Sequence, residues 1–252
     1  MDKKIEFDKL QMYFGEPYKI TYDGGEIEIL QPTIGDILYF GEKQFYSMLN
    51  VFISNTTSHR LFLWDHGIDW NKISDYELFG FLIKGLDVES TKILFNDLDF
   101  RLFELYNKKV DDVEVLTLYN KKQRVEIDEN TYRQIAEYLR LMFNIYPKVE
   151  KAKGKTTKEW MIDEDRMNLL NQKESNQSTL LPLVSACVNH PGFKYKLAEL
   201  KDMGIVQFMD SVQRLQIYES TTALMSGMYS GMVDIKGIPS EQFNFMRNID
   251  AK

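Results

Sequence analysis

Cysteine is almost missing from this sequence, since Cys187 is the only one in 252 residues. A single cysteine excludes an internal disulfide and suits a reducing compartment. The chain also lacks an apolar run near the ~18 residues of a membrane span. Its first ten residues, MDKKIEFDKL, lack the apolar core of a signal peptide. We therefore expect a soluble, intracellular protein that does not enter a membrane.

Common catalytic and ligand-binding motifs are missing as well. The sequence contains no P-loop, no Rossmann fingerprint, no CxxC pair and no HExxH. Positive charge is also scarce in the N-terminal part, where residues 1–147 carry 17 Lys/Arg against 25 Asp/Glu, a net charge of −8. Such a balance argues against a surface that binds phosphate groups. We expect a protein that is not an enzyme and binds no cofactor, metal or nucleic acid.

What the chain does contain is typical of a folded α+β protein. Hydrophobic residues make up 44% of it, enough to bury a substantial core. Alternating apolar residues predict an antiparallel β-hairpin over residues 18–29, with Asp23 and the following glycines at the turn, and a second one over residues 113–127. Helical spacing dominates elsewhere, so we predict a mainly helical fold with short hairpins in the N-terminal half and a helical C-terminal segment.

Several helix starts can be placed by their capping residues. Thr33 begins a predicted helix that runs to about residue 54, Ser74 begins one that runs to about residue 86, and Asp128 begins one that ends before Pro147. A shorter helix is predicted over residues 57–64.

Composition divides the chain into three segments. Residues 1–147 form the predicted domain with the two hairpins, residues 148–176 a lysine-rich linker with a short helix, and residues 177–252 a helical C-terminal domain. Within the linker, residues 148–158 have no large apolar residue except Val149, so we expect them to be a mobile, solvated tether.

The C-terminal segment carries two apolar stripes on one long helix. Ile205, Phe208 and Leu215 belong to the first stripe, which predicts a core-facing side. The second stripe is rotated around the helix and contains Ile217 and Leu224. Six of the 12 methionines lie after residue 202; flexible methionines fill cores but also suit adaptable docking surfaces, and both interpretations stay open. Gly231 is expected to end the helix, and Gly227 to allow a close approach.

Two clusters have the residue types of a chemical site. His59, Asp65, His66 and Asp69 could bind zinc or act as a general base, but their spacing fits no metal motif, and a tight turn at Asp65-His-Gly is the favoured interpretation.

Cys187 and His190 could form a nucleophile pair. A buried cysteine near a helix end, followed by a turn at His190, is favoured instead.

The C-terminal region contains four motifs, NHPGFK at 189–194, MDSVQR at 209–214, YSGMVDIK at 229–236 and FNFM at 243–246. In these motifs it resembles tail assembly chaperones of long-tailed bacteriophages. The resemblance implies a protein that binds the tape-measure protein, or another tail protein, in the host cytoplasm during tail morphogenesis. The alternative is a structural or connector protein that stays in the tail or neck of the virion, and self-association is left open.

If the resemblance holds, the second stripe is the candidate partner-binding surface. Charge on an exposed stripe would be tolerated by the fold yet would weaken binding of an amphipathic client helix. The candidate residues are Ile217, Leu224, Met225, Met228, Tyr229 and Met232.

Overall fold

A computed structural model describes residues 5–22, 24–110, 113–171, 177–234 and 236–249. It shows an α+β protein that is 54% helical, with two small antiparallel sheets in the N-terminal half and helices in the C-terminal part, which confirms the predicted fold class. No helix in these ranges is long and apolar enough to cross a lipid bilayer.

The elements follow one another in a simple order, with both sheets before residue 128. They are α1 (Lys9–Tyr13), β1 (Tyr18–Tyr22), β2 (Gly25–Ile29), α2 (Ile34–Phe40), α3 (Glu42–Ile53), α4 (Arg60–Asp65), α5 (Asp75–Leu82), α6 (Val88–Phe95), β3 (Phe103–Val110), β4 (Val113–Asn120), β5 (Val125–Ile127), α7 (Glu129–Phe143), α8 (Lys155–Asn171), α9 (Leu180–Asn189) and α10 (Ile205–Tyr229).

The first predicted hairpin is present at its predicted position. β1 pairs antiparallel with β2, and Ile20 lies opposite Ile27 with both side chains buried. Gly24 has φ +123°, a conformation that glycine adopts without steric cost. Asp23, which was placed in the turn, lies outside the described residues.

The second predicted hairpin is part of a larger sheet. β4 pairs with β5 as expected, but β3 adds a longer antiparallel partner on the other side of β4, so the sheet has the order β3-β4-β5. The sheet is fastened to α5 by Tyr76, whose buried hydroxyl donates to the Ile127 carbonyl at 2.6 Å and accepts from the Leu118 amide at 2.9 Å. Burial raises the pKa of this phenol, so it remains a neutral donor.

The helix caps explain where the helices begin. Thr33 with Asp36, and Ser74 with Glu77, form capping boxes, and Asp128 accepts from the Thr131 amide at 2.7 Å. The predicted single helix from residue 33 to about 54 is wrong, because Gly41 at φ +97° separates α2 from α3. The helix predicted over 57–64 is shorter and begins at Arg60.

One large core joins the N-terminal and C-terminal halves. Phe52, Phe79, Leu139 and Phe208 are all nearly inaccessible to solvent and belong to the same apolar cluster, so α9 and α10 pack on the core that α3, α5 and α7 share. Two backbone hydrogen bonds of 3.0 Å fasten the start of α10 to the start of α2, from the Ile205 amide to the Pro32 carbonyl and from the Ile34 amide to the Met203 carbonyl. The division at 147/148 and 176/177 stays a prediction.

The segment 148–158 has anchors that its composition did not reveal. The Glu150 carbonyl accepts from the Thr57 hydroxyl at 3.2 Å, and the side-chain amide of Asn71 donates to the Ala152 carbonyl at 2.6 Å. The Lys158 ammonium binds the Asp69 carboxylate at 2.6 Å. Ala152 is buried in a second apolar cluster beside Trp70. The expectation of an unanchored tether is therefore corrected: this segment lies against residues 55–71. Residues 172–176 of the predicted linker are outside the described ranges.

Candidate partner-binding surface on the long C-terminal helix

The first stripe of α10 is core, as predicted. Ile205 and Phe208 are 0% exposed. Further along the same side, Met209, Val212 and Leu215 are half-buried against the large core. This side of the helix holds α10 to the rest of the molecule and is not available to a partner.

The second stripe becomes more accessible toward the end of the helix. Its first members are half-buried, whereas its last two are among the most exposed apolar side chains of the described residues. Ile217, Leu224, Met225 and Met228 are half-buried, and Tyr229 and Met232 are 77% and 86% exposed.

The chain's own C-terminal tail, residues 236–249, covers part of this stripe. Thr221, in the middle of the stripe, is only 2% exposed and donates its hydroxyl to the Gln242 carbonyl at 3.2 Å. The Arg247 guanidinium donates to the Thr221 hydroxyl at 3.2 Å, and Arg214 donates to the Arg247 carbonyl at 2.7 Å. These bonds hold polar groups of the tail against polar groups of α10 around Thr221. The part of the second stripe that stays free is therefore its last part, at Tyr229 and Met232.

A close approach at Gly227 shapes that free end. A Cβ atom at Gly227 would lie 2.5 Å from Cγ2 of Val233, so any larger residue would displace the turn after the helix. Gly231 has φ +71° just after α10 ends at Tyr229. Both glycines therefore have the roles predicted for them, and together they turn the chain so that Met232 projects into solvent.

A cleft of about 730 Å³ adjoins the start of the second stripe, at Ile217. Ile217 is its apolar member from the candidate set, and the remaining lining is mostly amide and hydroxyl groups. Other lining residues are Asn144, Tyr146, Gln213, Gln216, Ser220, Arg247 and Ile249. This chemistry suits contact with a peptide backbone, because amides and hydroxyls both donate and accept hydrogen bonds.

The histidine and aspartate cluster around residues 59–69 is dispersed in the structure. His59 contacts the Ser54 hydroxyl at 2.9 Å, and burial lowers its pKa, so its imidazole is neutral. Asp65 pairs with Arg166, and Asp69 with Lys158. His66 contacts the Phe62 carbonyl at 2.8 Å.

The favoured turn is present at this place. Gly67 has φ +74°, and Trp70 is buried in the second apolar cluster. In the ranges that the structure describes, no three His, Cys, Asp or Glu side chains converge as a ligand set.

Cys187 and His190 also have separate environments. Cys187 is 2% exposed, and burial raises the pKa of its thiol, which disfavours the thiolate. The Nδ1 atom of His190 accepts from the Gly192 amide at 2.9 Å, so Nε2 carries the proton and donates to Glu219 at 2.9 Å. The histidine thus joins the α9–α10 connection to α10.

Sequence reasoning missed the contact that Glu42 makes with the start of α9. The Glu42 carboxylate accepts from the Ser178 and Thr179 hydroxyls at 2.5 Å, and from the Thr179 and Leu180 amides at 2.7 and 2.9 Å. Burial alone would raise the pKa of Glu42, but these hydrogen bonds outweigh burial and lower it. The carboxylate caps the start of α9 from α3, and a cleft of about 890 Å³ lies beside it. No sequence signal links positions 136 residues apart.

The sequence also did not reveal the ion pairs that Arg60 makes with Asp165 and Glu150. The Arg60 side chain is only 11% exposed, its Nε and Nη2 atoms both bind Asp165 at 2.6 Å, and Nη1 binds Glu150 at 2.6 Å. The hydrogen bonds to Asp165 raise the pKa of this guanidinium further, so it is permanently charged. It connects α4 to the segment before α8 and to α8 itself.

Comparison with known proteins gives one family match. A family model described as "YomV second domain" matches residues 171–250, which is under half of the chain and includes α9, α10 and the tail. YomV is a Bacillus prophage protein, so the match indicates a phage-related protein. No curated protein and no solved structure matches the chain. The resemblance to tail assembly chaperones stays a prediction.

Proposed function

We propose that this protein is a non-enzymatic bacteriophage tail assembly chaperone that binds the tape-measure protein before the tail polymerises. Two observations support the proposal. The C-terminal motifs resemble such chaperones, and the phage-related family match falls on the same part of the chain. The binding surface that we assign is the free end of the second stripe. There Tyr229 and Met232 are exposed beside half-buried Met225 and Met228.

The chemistry of this end suits a client that must later be released. Methionine side chains are flexible and polarizable, so they adapt to different apolar side chains of a long helical client. Burying an apolar side chain of this size contributes about 1.5–3 kcal/mol. Two exposed anchors then contribute about 3–6 kcal/mol before the costs of association, so one such site binds no more tightly than a dissociation constant of tens of micromolar. A chaperone that releases its client needs affinity of this order.

The test is co-purification of the protein with the tape-measure protein encoded in the same genome. Met232→Asp and Tyr229→Ser change exposed side chains, so we expect unchanged melting and at least tenfold weaker client binding. The matched control is Tyr39→Asp on α2, because Tyr39 is 97% exposed and lies far from the stripe in sequence. We expect the control to bind the client as the wild type does.

Half-buried positions give a second, more demanding test. Met225→Asp and Met228→Asp are expected to weaken client binding while the protein still folds, since neither side chain belongs to the buried core clusters. If all four stripe variants melt normally and bind the client unchanged, the stripe has no part in recognition. If no client binds the wild-type protein, and the protein is instead abundant in purified virions, it is a structural or connector part of the tail.

A further inference from the structure

The C-terminal tail is fastened to α10 by a few side-chain donors. Arg214 of α10 donates to the Arg247 carbonyl at 2.7 Å. Thr221 donates to the Gln242 carbonyl at 3.2 Å. In the described part of the chain, no backbone-to-backbone hydrogen bond joins residues 236–249 to α10. The contact can therefore break without opening a helix or a sheet.

The C-terminal tail also adds nothing to the apolar core. No residue of 236–249 is buried, and none belongs to either apolar cluster. Phe245 meets Tyr218 of α10 edge-on, with the ring centroids 6.1 Å apart, but both side chains stay about half exposed. Ile249, near the end of the tail, is flanked by two clefts of about 730 and 250 Å³. The tail can therefore leave α10 while the core stays intact.

The position that the C-terminal tail covers lies at the centre of the second stripe. Thr221 is one helical turn after Ile217 and one turn before Met225, so the three positions share one side of α10. The Arg247 guanidinium donates to the Thr221 hydroxyl at 3.2 Å and to the Gln242 carbonyl at 3.1 Å. One arginine of the tail thus closes the tail over Thr221, and the stripe is interrupted between its start and its free end.

We propose that the C-terminal tail is a displaceable cover that competes with the client helix for the second stripe, an inference that rests on the client-binding function proposed above. A tethered segment has a high effective concentration at its own site, so weak contacts hold it there when no client is present. Covering an apolar stripe also limits the aggregation of the empty protein. A client helix that binds at Tyr229 and Met232 and displaces the tail gains the stripe from Ile217 to Met228, which is about three helical turns long.

The first test asks whether the C-terminal tail opens, and it needs no client. Arg247→Ala removes the guanidinium that closes the tail, and Lys236→Ala is the matched control, because it removes the same charge from the tail at an exposed position. NMR of isoleucine methyl groups in the full chain, with a soluble paramagnetic agent, measures their exposure to solvent. We expect the paramagnetic relaxation of Ile217 and Ile249 to rise at least twofold in Arg247→Ala alone. The core residue Ile205 should be unchanged in both variants.

The second test asks whether the C-terminal tail competes with the client. We expect the tape-measure protein to bind Arg247→Ala at least threefold more tightly than it binds the wild type or Lys236→Ala. Adding the tape-measure protein to the wild type should also raise the paramagnetic relaxation of Ile249, because the displaced tail becomes exposed to solvent.

Two results would overturn the proposal by itself. Unchanged relaxation of Ile217 and Ile249 in Arg247→Ala would show that the tail is not held by the bonds of this arginine. Equal affinity of the wild type and Arg247→Ala for the tape-measure protein, with the tail released in the variant, would show that the tail does not compete. A tape-measure protein that binds neither protein would contradict the client-binding function and the competition together, whereas the methyl relaxation would still decide whether Arg247 holds the tail.

Discussion

Removing the Glu42 carboxylate is expected to loosen the start of α9 by a predictable amount. The carboxylate accepts four hydrogen bonds from Ser178, Thr179 and Leu180. Hydrogen bonds to a charged group contribute about 1.5–3 kcal/mol when buried, and a side-chain cap about 1 kcal/mol. Because Glu42 is half-buried, we expect Glu42→Ala to lower the free energy of unfolding by about 2 kcal/mol and Glu42→Gln, which keeps one acceptor oxygen, by about 1 kcal/mol.

The effect should depend on pH in one direction. The pKa of Glu42 is lower in the folded protein than its ordinary value of 4.5, so the folded state binds fewer protons at this carboxyl than the unfolded state. The stabilisation that the Glu42 carboxylate contributes is then fully present when the pH is above the ordinary pKa. It is lost as the pH falls through the lower pKa of the folded state. The difference between wild type and Glu42→Ala should therefore be constant from pH 6 to 7 and shrink below about pH 4.

Urea unfolding monitored by circular dichroism at several pH values measures both effects. Glu104→Gln is the control, since Glu104 is exposed on β3 and should change stability by less than about 0.5 kcal/mol. If both Glu42 variants unfold like the wild type at pH 7, the carboxylate does not cap α9. If the difference stays constant down to pH 3.5, it arises from packing and not from the charge.

Three further predictions concern the core, the segment 148–158 and the turn after α10. Phe208→Ala is expected to cost about 3–5 kcal/mol, because it leaves a cavity in the core, and a melting temperature near the wild-type value would contradict this. Trypsin is expected to cut slowly after Lys151 and Lys153, since backbone groups of this segment are hydrogen-bonded to residues 55–71; first cleavage there would restore the interpretation as a mobile tether. Gly227→Ala should displace Val233 and raise hydrogen exchange in the turn after α10 while the amides of the core helices keep their protection, and unchanged exchange would refute the close approach.

The parts of the fold that were predicted correctly depend on contacts between residues close in sequence. The caps at Thr33, Ser74 and Asp128 each contact a residue three positions later, and the Ile20–Ile27 pairing follows from a short turn. Helix continuity across Gly41 was predicted wrongly, because the apolar spacing continues from α2 into α3 and hides the change of direction.

The parts that were missed depend on contacts between distant residues. Glu42 caps a helix that begins 138 positions later, and nothing in the residues near Glu42 indicates its partner. The lysine-rich composition of residues 148–158 predicted a solvated tether, whereas the segment is held largely through its backbone carbonyls, which composition does not record. For the candidate site, periodicity located the second stripe on α10, but it could not show that the tail covers the middle of that stripe.

Quantitative mass spectrometry of infected cells and purified virions tests the chaperone proposal most directly. A tail assembly chaperone acts before polymerisation, so we predict that this protein is abundant in the lysate, co-purifies there with the tape-measure protein, and is missing from finished particles. Recovery of the protein from purified virions at a fixed copy number per tail would contradict the proposal.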